Sequence, residues 1–252
     1  MVAIDVNSDL GESVGGNPVS DDAAIIEVVS SANVACGFHS GDPHDIARTV
    51  EAAARRGVAV GAHVGYRDIH GFGRRFIDMD PHELADEVLY QIGALDALAR
   101  SRGTEVSYVK PHGALYNTIV HHEEQAQAVV DGIRGFGRDL AVLLLPGAVA
   151  IDKAEKAGLR TVREAFADRN YNPDGTLVSR READAVVSDP DAVAARVVQM
   201  AQDGTVTARD GSTVEIDAES LCVHGDSPGA VDLSRRIVDA LQGAGIEIRR
   251  FA

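Results

Sequence analysis

Leu140-Ala141-Val142-Leu143-Leu144-Leu145 is the stretch from which the fold is read. Six consecutive apolar residues with no polar face predict a strand covered on both sides, as in a parallel sheet flanked by helices. Working outward, a helix is expected before it from about Glu123. After it comes a helix leading to Gly158, then a short strand at Thr161 to Val162. The same strand-then-helix unit recurs along the chain, with strands predicted at Ala3 to Val6, Ala32 to Cys36, Val58 to Ala62, Val106 to Val109, Leu221 to Val223 and Ile246 to Ile248. Helices are expected to open at Ser20-Asp21-Asp22, near Pro43, at Asp80-Pro81 and near Asp189, where capping side chains or a first-turn Pro suit a helix start. Leu84, Val88, Ile92, Leu95 and Leu98 give the helix after Asp80 one apolar face. Asp210-Gly211 between two short runs signals a hairpin, and Asp168 to Ala183 reads as a long polar loop. Seven or eight strands, most followed by a helix, predict an α/β fold with a parallel sheet. At 252 residues a closed TIM-like barrel suits this better than a flat doubly wound sheet, although periodicity alone does not separate the two. No linker divides the chain, so residues 1–252 are expected to form one β/α-barrel domain with a small hairpin insertion near 205–216.

Composition excludes several function classes. With 24 Lys+Arg against 39 Asp+Glu, the net charge is -15, which disfavours nucleic acid and anionic membranes as partners. Met1 to Leu10 carries Asp5 and Asp9 with no basic segment, so no leader peptide and a cytoplasmic location are expected. No apolar run approaches the ~20 residues of a membrane span. Cys36 and Cys222 are too few for a disulfide framework and are expected to pack in the core.

The chemistry-bearing residues cluster after the strands. Asn7, Asp9 and Glu12 follow the first, His39 the second, His63 the third, Lys110 and His112 the fourth, Glu164, Asp168 and Arg169 the strand at Thr161, and His224 and Asp226 the strand at Leu221. In a parallel β/α fold these ends share one face, where such folds place active sites. Histidines and carboxylates converging there could bind a divalent metal or transfer protons near neutral pH. The metal candidates are Asp9, His39, His63 and His112. His44 is ambiguous, and His70, His82, His121 and His122 read as solvated. Lys110 is the only lysine besides Lys153 and Lys156. At a strand end it could bind an anion, form a Schiff base or stabilise negative charge. Gly71-Phe72-Gly73-Arg74-Arg75 reads as a mobile loop carrying two cations, either closing on an anionic substrate or nucleotide or simply solvated.

Two motifs fail on inspection. Gly225-Asp226-Ser227-Pro228-Gly229 matches G-x-S-x-G, but a nucleophile elbow needs a backbone N–H after the serine, and Pro228 has none. No lysine follows the glycine pattern of a phosphate-binding P-loop.

Asn7-Ser8-Asp9-Leu10-Gly11-Glu12, Asn33-Val34-Ala35-Cys36-Gly37-Phe38-His39, Gly61-Ala62-His63, Gly71 to Arg75, Val109 to Asn117, Glu164 to Arg169 and Cys222 to Asp226 together resemble the LamB/YcsF family. The resemblance runs from residue 5 to about residue 230. It implies a distorted β/α barrel similar to those of glycoside hydrolases and polysaccharide deacetylases. It implies the A subunit of an ATP-dependent 5-oxoprolinase, which opens 5-oxoproline to L-glutamate with ATP (and Mg) in a complex with B and C subunits. Val64 and Arg67 stand where the family commonly has proline, which puts the loop shape there in question. For that reaction Asp9 or Glu12 with one of His39, His63 and His112 is expected to transfer protons, and Lys110 to stabilise charge. Asn7, Arg74, Arg75, Glu164, Asp168, Arg169, His224 and Asp226 are expected to bind substrate or phosphate. Two other readings stand beside it: a stand-alone metal-dependent amide or sugar deacetylase, and a non-catalytic binding subunit.

Overall fold

The computed structural model describes residues 2–179, 181–225 and 229–252. The chain runs β1 (Ala3–Leu10), a hairpin of β2 (Ser13–Val14) and β3 (Asn17–Pro18), α1 (Asp22–Ile26), β4 (Ser31–Ala35), α2 (Pro43–Arg56), β5 (Ala59–Val64), α3 (Pro81–Ser101), β6 (Val106–Pro111), α4 (Gly113–Thr118) and α5 (Glu123–Gly135). It continues through β7 (Ala141–Leu144), α6 (Val149–Lys156), β8 (Thr161–Phe166), α7 (Pro190–Asp203), a hairpin of β9 (Thr205–Thr207) and β10 (Thr213–Glu215), β11 (Ser220–Cys222), α8 (Ala230–Gly243) and β12 (Glu247–Ile248).

Among the described residues, seven parallel strands close in the order β1-β4-β5-β6-β7-β8-β11, with β11 returning to β1. The predicted β/α barrel is therefore the fold. β12 stands outside the ring, paired to Ala3 and Ile4 of β1. The helices form because their starts are satisfied locally: the Asp42, Asp80 and Asp189 side chains accept first-turn N–H groups, each just before a proline. Leu84, Val88, Ile92 and Leu95 bury one face of α3.

Four strands run further than predicted, while β7 covers only Ala141–Leu144 of the Leu140 to Leu145 run. β1 extends to Leu10, β5 to Val64, β6 to Pro111 and β8 to Phe166. Asn7, Asp9, His63, Lys110 and Glu164 thus lie within strands rather than after them. Polar residues end an ordinary strand reading, but here they sit inside the barrel and hydrogen-bond one another. In β1, Asp5, Asn7 and Asp9 alternate with Ile4, Val6, Ser8 and Leu10, so one side of the strand is polar and faces the lumen. Asp5 accepts from the hydroxyls of Ser30 and Ser31 (2.6 Å each) and of Ser220. Asn7 donates to Ser220 Oγ (2.7 Å) and accepts from Asn33 (2.7 Å). Tyr108 donates to Asn33 Oδ1 (2.7 Å). The Tyr108 ring fits because Gly61 faces it: a Cβ at Gly61 would lie 2.2 Å from the ring.

Candidate active site

Above this polar column the strand ends open into a cavity of about 460 Å³. Its lining includes Asp9, Glu12, His63, Arg74, Lys110, His112, Tyr116, Phe166 and His224. Lys110 forms the floor and is 2% exposed. Its Nζ lies 2.8 Å from Glu164 Oε1, 3.1 Å from Asp9 Oδ1, 3.2 Å from Asn7 Oδ1 and 3.2 Å from Cys222 Sγ. Burial alone would favour the neutral amine, but the Asp9 and Glu164 carboxylates outweigh it and hold the amine protonated well above the usual lysine value. An ammonium so caged offers no lone pair for a Schiff base; it is a fixed positive charge. The expected core packing of Cys222 is correct as burial, and burial pushes its thiol up so that it stays neutral.

The wall made by β1, β4, β5 and β6 holds three histidines. His63 Nδ1 lies 2.9 Å from the Lys110 carbonyl, and His112 Nε2 lies 2.9 Å from the Phe72 carbonyl. Each of these nitrogens must carry a hydrogen, because a carbonyl only accepts. Between the two rings, His63 Nε2 and His112 Nδ1 are 2.9 Å apart and share one further hydrogen. Two imidazoles thus hold three protons, so one is a cation. Asp9 Oδ2, 3.3 Å from His63 Nε2, puts the charge on His63. Burial would lower the His63 value, but Asp9 outweighs it and raises it. Burial, with the neighbouring histidines, drives His112 well below the usual imidazole value. His39 stacks on His112 at 3.8 Å between ring centroids and 6° between planes, and is neutralised in the same way. Its Nε2 lies 3.2 Å from Glu12 Oε1, while its Nδ1 is buried without a hydrogen-bond partner. Burial and the Asp9 charge push the Glu12 carboxyl above the usual carboxylate value.

Gly71 to Arg75 belongs to this wall and is not the open loop its glycines suggest. The Phe72 ring meets His39 and His112 edge-on, and its backbone takes a positive φ of 54°. Gly73 packs so closely that a Cβ there would lie 2.7 Å from His39 Cβ. Arg74 reaches the cavity, its guanidinium 5.0 Å over the Phe72 ring.

Candidate ligand atoms of Glu12, His39, His63 and His112 all lie within 4.8 Å of one another. A tetrahedral ion with bonds of about 2.0–2.1 Å sets its ligand atoms about 3.3 Å apart. The measured 2.9, 3.2 and 3.6 Å separations bracket that spacing. The set fits a borderline divalent cation such as zinc, with Glu12 rather than the expected Asp9 as its carboxylate.

The opposite wall comes from β8 and β11. Asp168 Oδ1 and Oδ2 lie 2.7 and 2.9 Å from His224 Nδ1, and the His224 ring stacks on Phe166. The other sequence candidates stand elsewhere. Asn7 and Glu164 are wholly buried beneath the floor as partners of Lys110, not on the cavity surface. Arg75 pairs with Asp68 away from the cavity. Arg169 lines the cavity, but its guanidinium donates to the Val178 (2.6 Å) and Ala185 (3.2 Å) carbonyls and staples the long loop after β8. Asp226 and the rejected elbow at Ser227 and Pro228 lie outside the described residues. Tyr116, unforeseen, donates to Glu164 Oε2 (2.8 Å) and lines the cavity. At the two departures from the family pattern, Val64 is buried at the end of β5, and Arg67 stacks on Phe38.

The same chain pattern recurs in known proteins. The LamB/YcsF family matches residues 4–252. The chain belongs to the LamB/YcsF family. A relative from Corynebacterium jeikeium (strain K411), named as the A subunit of 5-oxoprolinase, is 68% identical over 250 residues, covering 99% of this chain and 97% of its own. The crystal structure of a lactam utilization protein from Thermus thermophilus superimposes with a TM-score of 0.94 at 43% identity, covering 99% of this chain and 100% of that one. A family 4 carbohydrate esterase from Streptomyces lividans, 12% identical with a TM-score of 0.53 over 100% of this chain and 93% of its own, shares the barrel. No helix among the described residues is long and apolar enough to cross a membrane.

Proposed function

We propose that this chain is the ring-opening subunit of an ATP-dependent 5-oxoprolinase, converting 5-oxoproline to L-glutamate together with B and C subunits in the cytoplasm. The names of its relatives suggest the substrate, and the cavity supplies suitable chemistry. The observation that carries the reading is the charged floor: Lys110 and the three-proton pair of His63 and His112 hold positive charge beside Glu12.

A lactam is a poor electrophile. Transfer of the ATP γ-phosphoryl group to the lactam oxygen, releasing ADP, makes the ring carbon reactive. Water then adds to that carbon. The C–N bond breaks, the nitrogen takes a proton, and an acyl phosphate remains. A second water cleaves it to the carboxylate and inorganic phosphate. Lys110 and His63 face the negative charge that develops on oxygen. Glu12, its carboxyl raised toward neutrality, takes the proton of the attacking water, a role worth ~10²–10⁴-fold. The described cavity offers no Gly-rich phosphate cradle. Activation by ATP and Mg is therefore assigned to the partner subunits.

The Glu12, His39, His63 and His112 cluster favours a second reading, a metal-dependent amide or sugar deacetylase. There the four residues would hold the ion, which would polarise a carbonyl and lower the pKa of its water. The test is ATP-dependent glutamate release from 5-oxoproline by this chain alone and with its B and C subunits. Release only with the partners supports the first reading. No release by the bound, folded assembly, with zinc-dependent hydrolysis by the chain alone, supports the second.

A further inference from the structure

We propose that His224 and Asp168 form a proton-donating dyad that protonates the ring nitrogen as the lactam opens; the inference rests on the ring-opening reading. The barrel order puts the pair opposite the three histidines. His39, His63 and His112 stand at β4, β5 and β6, whereas Asp168 and His224 follow the adjacent strands β8 and β11. A substrate in the cavity between them therefore meets Glu12 and the cationic floor on one side and His224 on the other.

Three features equip His224 to donate. Both Asp168 oxygens face its Nδ1, so Nδ1 carries a hydrogen and Nε2 is the atom through which a second proton moves. The backbone is fixed: Val223 N donates to Asn7 O at 2.9 Å, Ser8 Oγ donates to Val223 O at 2.8 Å, and Val187 N donates to Asp168 O at 2.8 Å. Phe166 links the two walls, with the His224 ring stacked on it and Lys110 Nζ 5.5 Å from its centroid.

The chemistry requires such a group. After water adds, the ring carbon carries a hydroxyl, the phosphoryl oxygen and the nitrogen. Phosphate departs as a stable anion without help. An amine departs only if its nitrogen gains a proton. His224 gives the Nε2 proton to nitrogen as the C–N electron pair moves onto it; the adduct's hydroxyl releases its proton to solvent as its O–H pair becomes the carbonyl of the acyl phosphate, and Glu12 holds the first proton taken from water. Both groups then exchange with solvent. His224 is the catalytic donor, and Asp168 is a positioning residue that acts through it.

If His224 is absent, the adduct expels phosphate instead and returns to the lactam, now carrying the oxygen of water. The experiment follows ADP, glutamate and recovered 5-oxoproline in H₂¹⁸O, using the full chain with B and C subunits, for wild type, His224→Gln and Asp168→Asn. The wild type is expected to couple glutamate to ADP. With His224→Gln, glutamate is expected to fall about 10²–10³-fold. ADP is expected to fall less than about tenfold, and ¹⁸O to enter the recovered lactam. Asp168→Asn is expected to uncouple in the same way, less severely. If glutamate and ADP fall together, with no ¹⁸O in the lactam, or if neither falls, the dyad is overturned while ring opening stands. If the wild-type assembly, folded and bound, makes no glutamate, the ring-opening reading itself fails.

Discussion

The two walls of the cavity are built on different principles. On the β4–β6 side, His39, His63, His112 and Glu12 satisfy one another and sit over the caged Lys110, so the wall presents two cations, Lys110 and His63, each paired with a buried carboxylate. On the β8–β11 side, His224 pairs with Asp168 beneath a long loop stapled by Arg169. The first wall suits stabilisation of charge that appears on oxygen. The second suits delivery of one proton. A barrel makes this division simple, because neighbouring strands share hydrogen bonds while distant strands share only the cavity.

The most severe break in the first wall is Lys110→Met. It leaves Asp9 and Glu164 facing each other without their cation, and stranding a buried charge costs about 3–5 kcal/mol. Turnover is expected to vanish and the denaturant midpoint to drop sharply; retained stability would show that the cage is not the keystone of the floor.

His112→Ala removes one member of the three-proton pair but no buried counter-ion. Turnover in the assembly is expected to fall by about 10²–10⁴-fold with the circular dichroism spectrum intact, which separates charge provision from folding.

The first wall should also titrate. The His63 value is raised in the folded state, so its stabilising contribution is present in acid and is lost as pH rises through that value. The Asp9 value is depressed, so its contribution is lost as pH falls. Melting temperatures of wild type and His63→Asn are therefore expected to converge as pH rises above the ordinary imidazole value of about 6.5. A constant gap would place the cation elsewhere.

The smallest effect belongs to the second wall. Arg169→Ala frees two carbonyls of the loop, worth about 1–3 kcal/mol locally. Limited proteolysis is expected to cut near 177–187 sooner, and KM to rise while kcat holds within a few-fold.

How much of this is legible in the sequence follows the same division. The barrel is legible because Leu140 to Leu145 and its counterparts are apolar on both faces. Asp9, Glu12, His39, His63, Lys110 and His112 are legible as a set because they lie at successive strand ends. The polar column is not. Asp5, Asn33 and Tyr108 fall inside the predicted strands, but a reading by apolar runs does not show that they face one lumen together with Asn7, Asp9 and Ser220, which lie beyond the predicted ends. The i, i+2 spacing of Asp5, Asn7 and Asp9 is the signal that finds them. Partnership is not legible either: nothing local says that Glu164 binds Lys110, that Arg75 turns to Asp68, or that Arg169 holds a loop, because each partner comes from another turn of the chain.

The most direct test of ring opening at this face is glutamate release by the assembly of this chain with B and C subunits, supplied with ATP and 5-oxoproline, comparing wild type with His112→Ala. Steady release is predicted for the wild type, none without ATP or without this chain, and a loss of at least about 10²-fold in the variant. A folded, assembled His112→Ala chain that releases glutamate at the wild-type rate would contradict this and move the ring-opening chemistry off this face of the barrel.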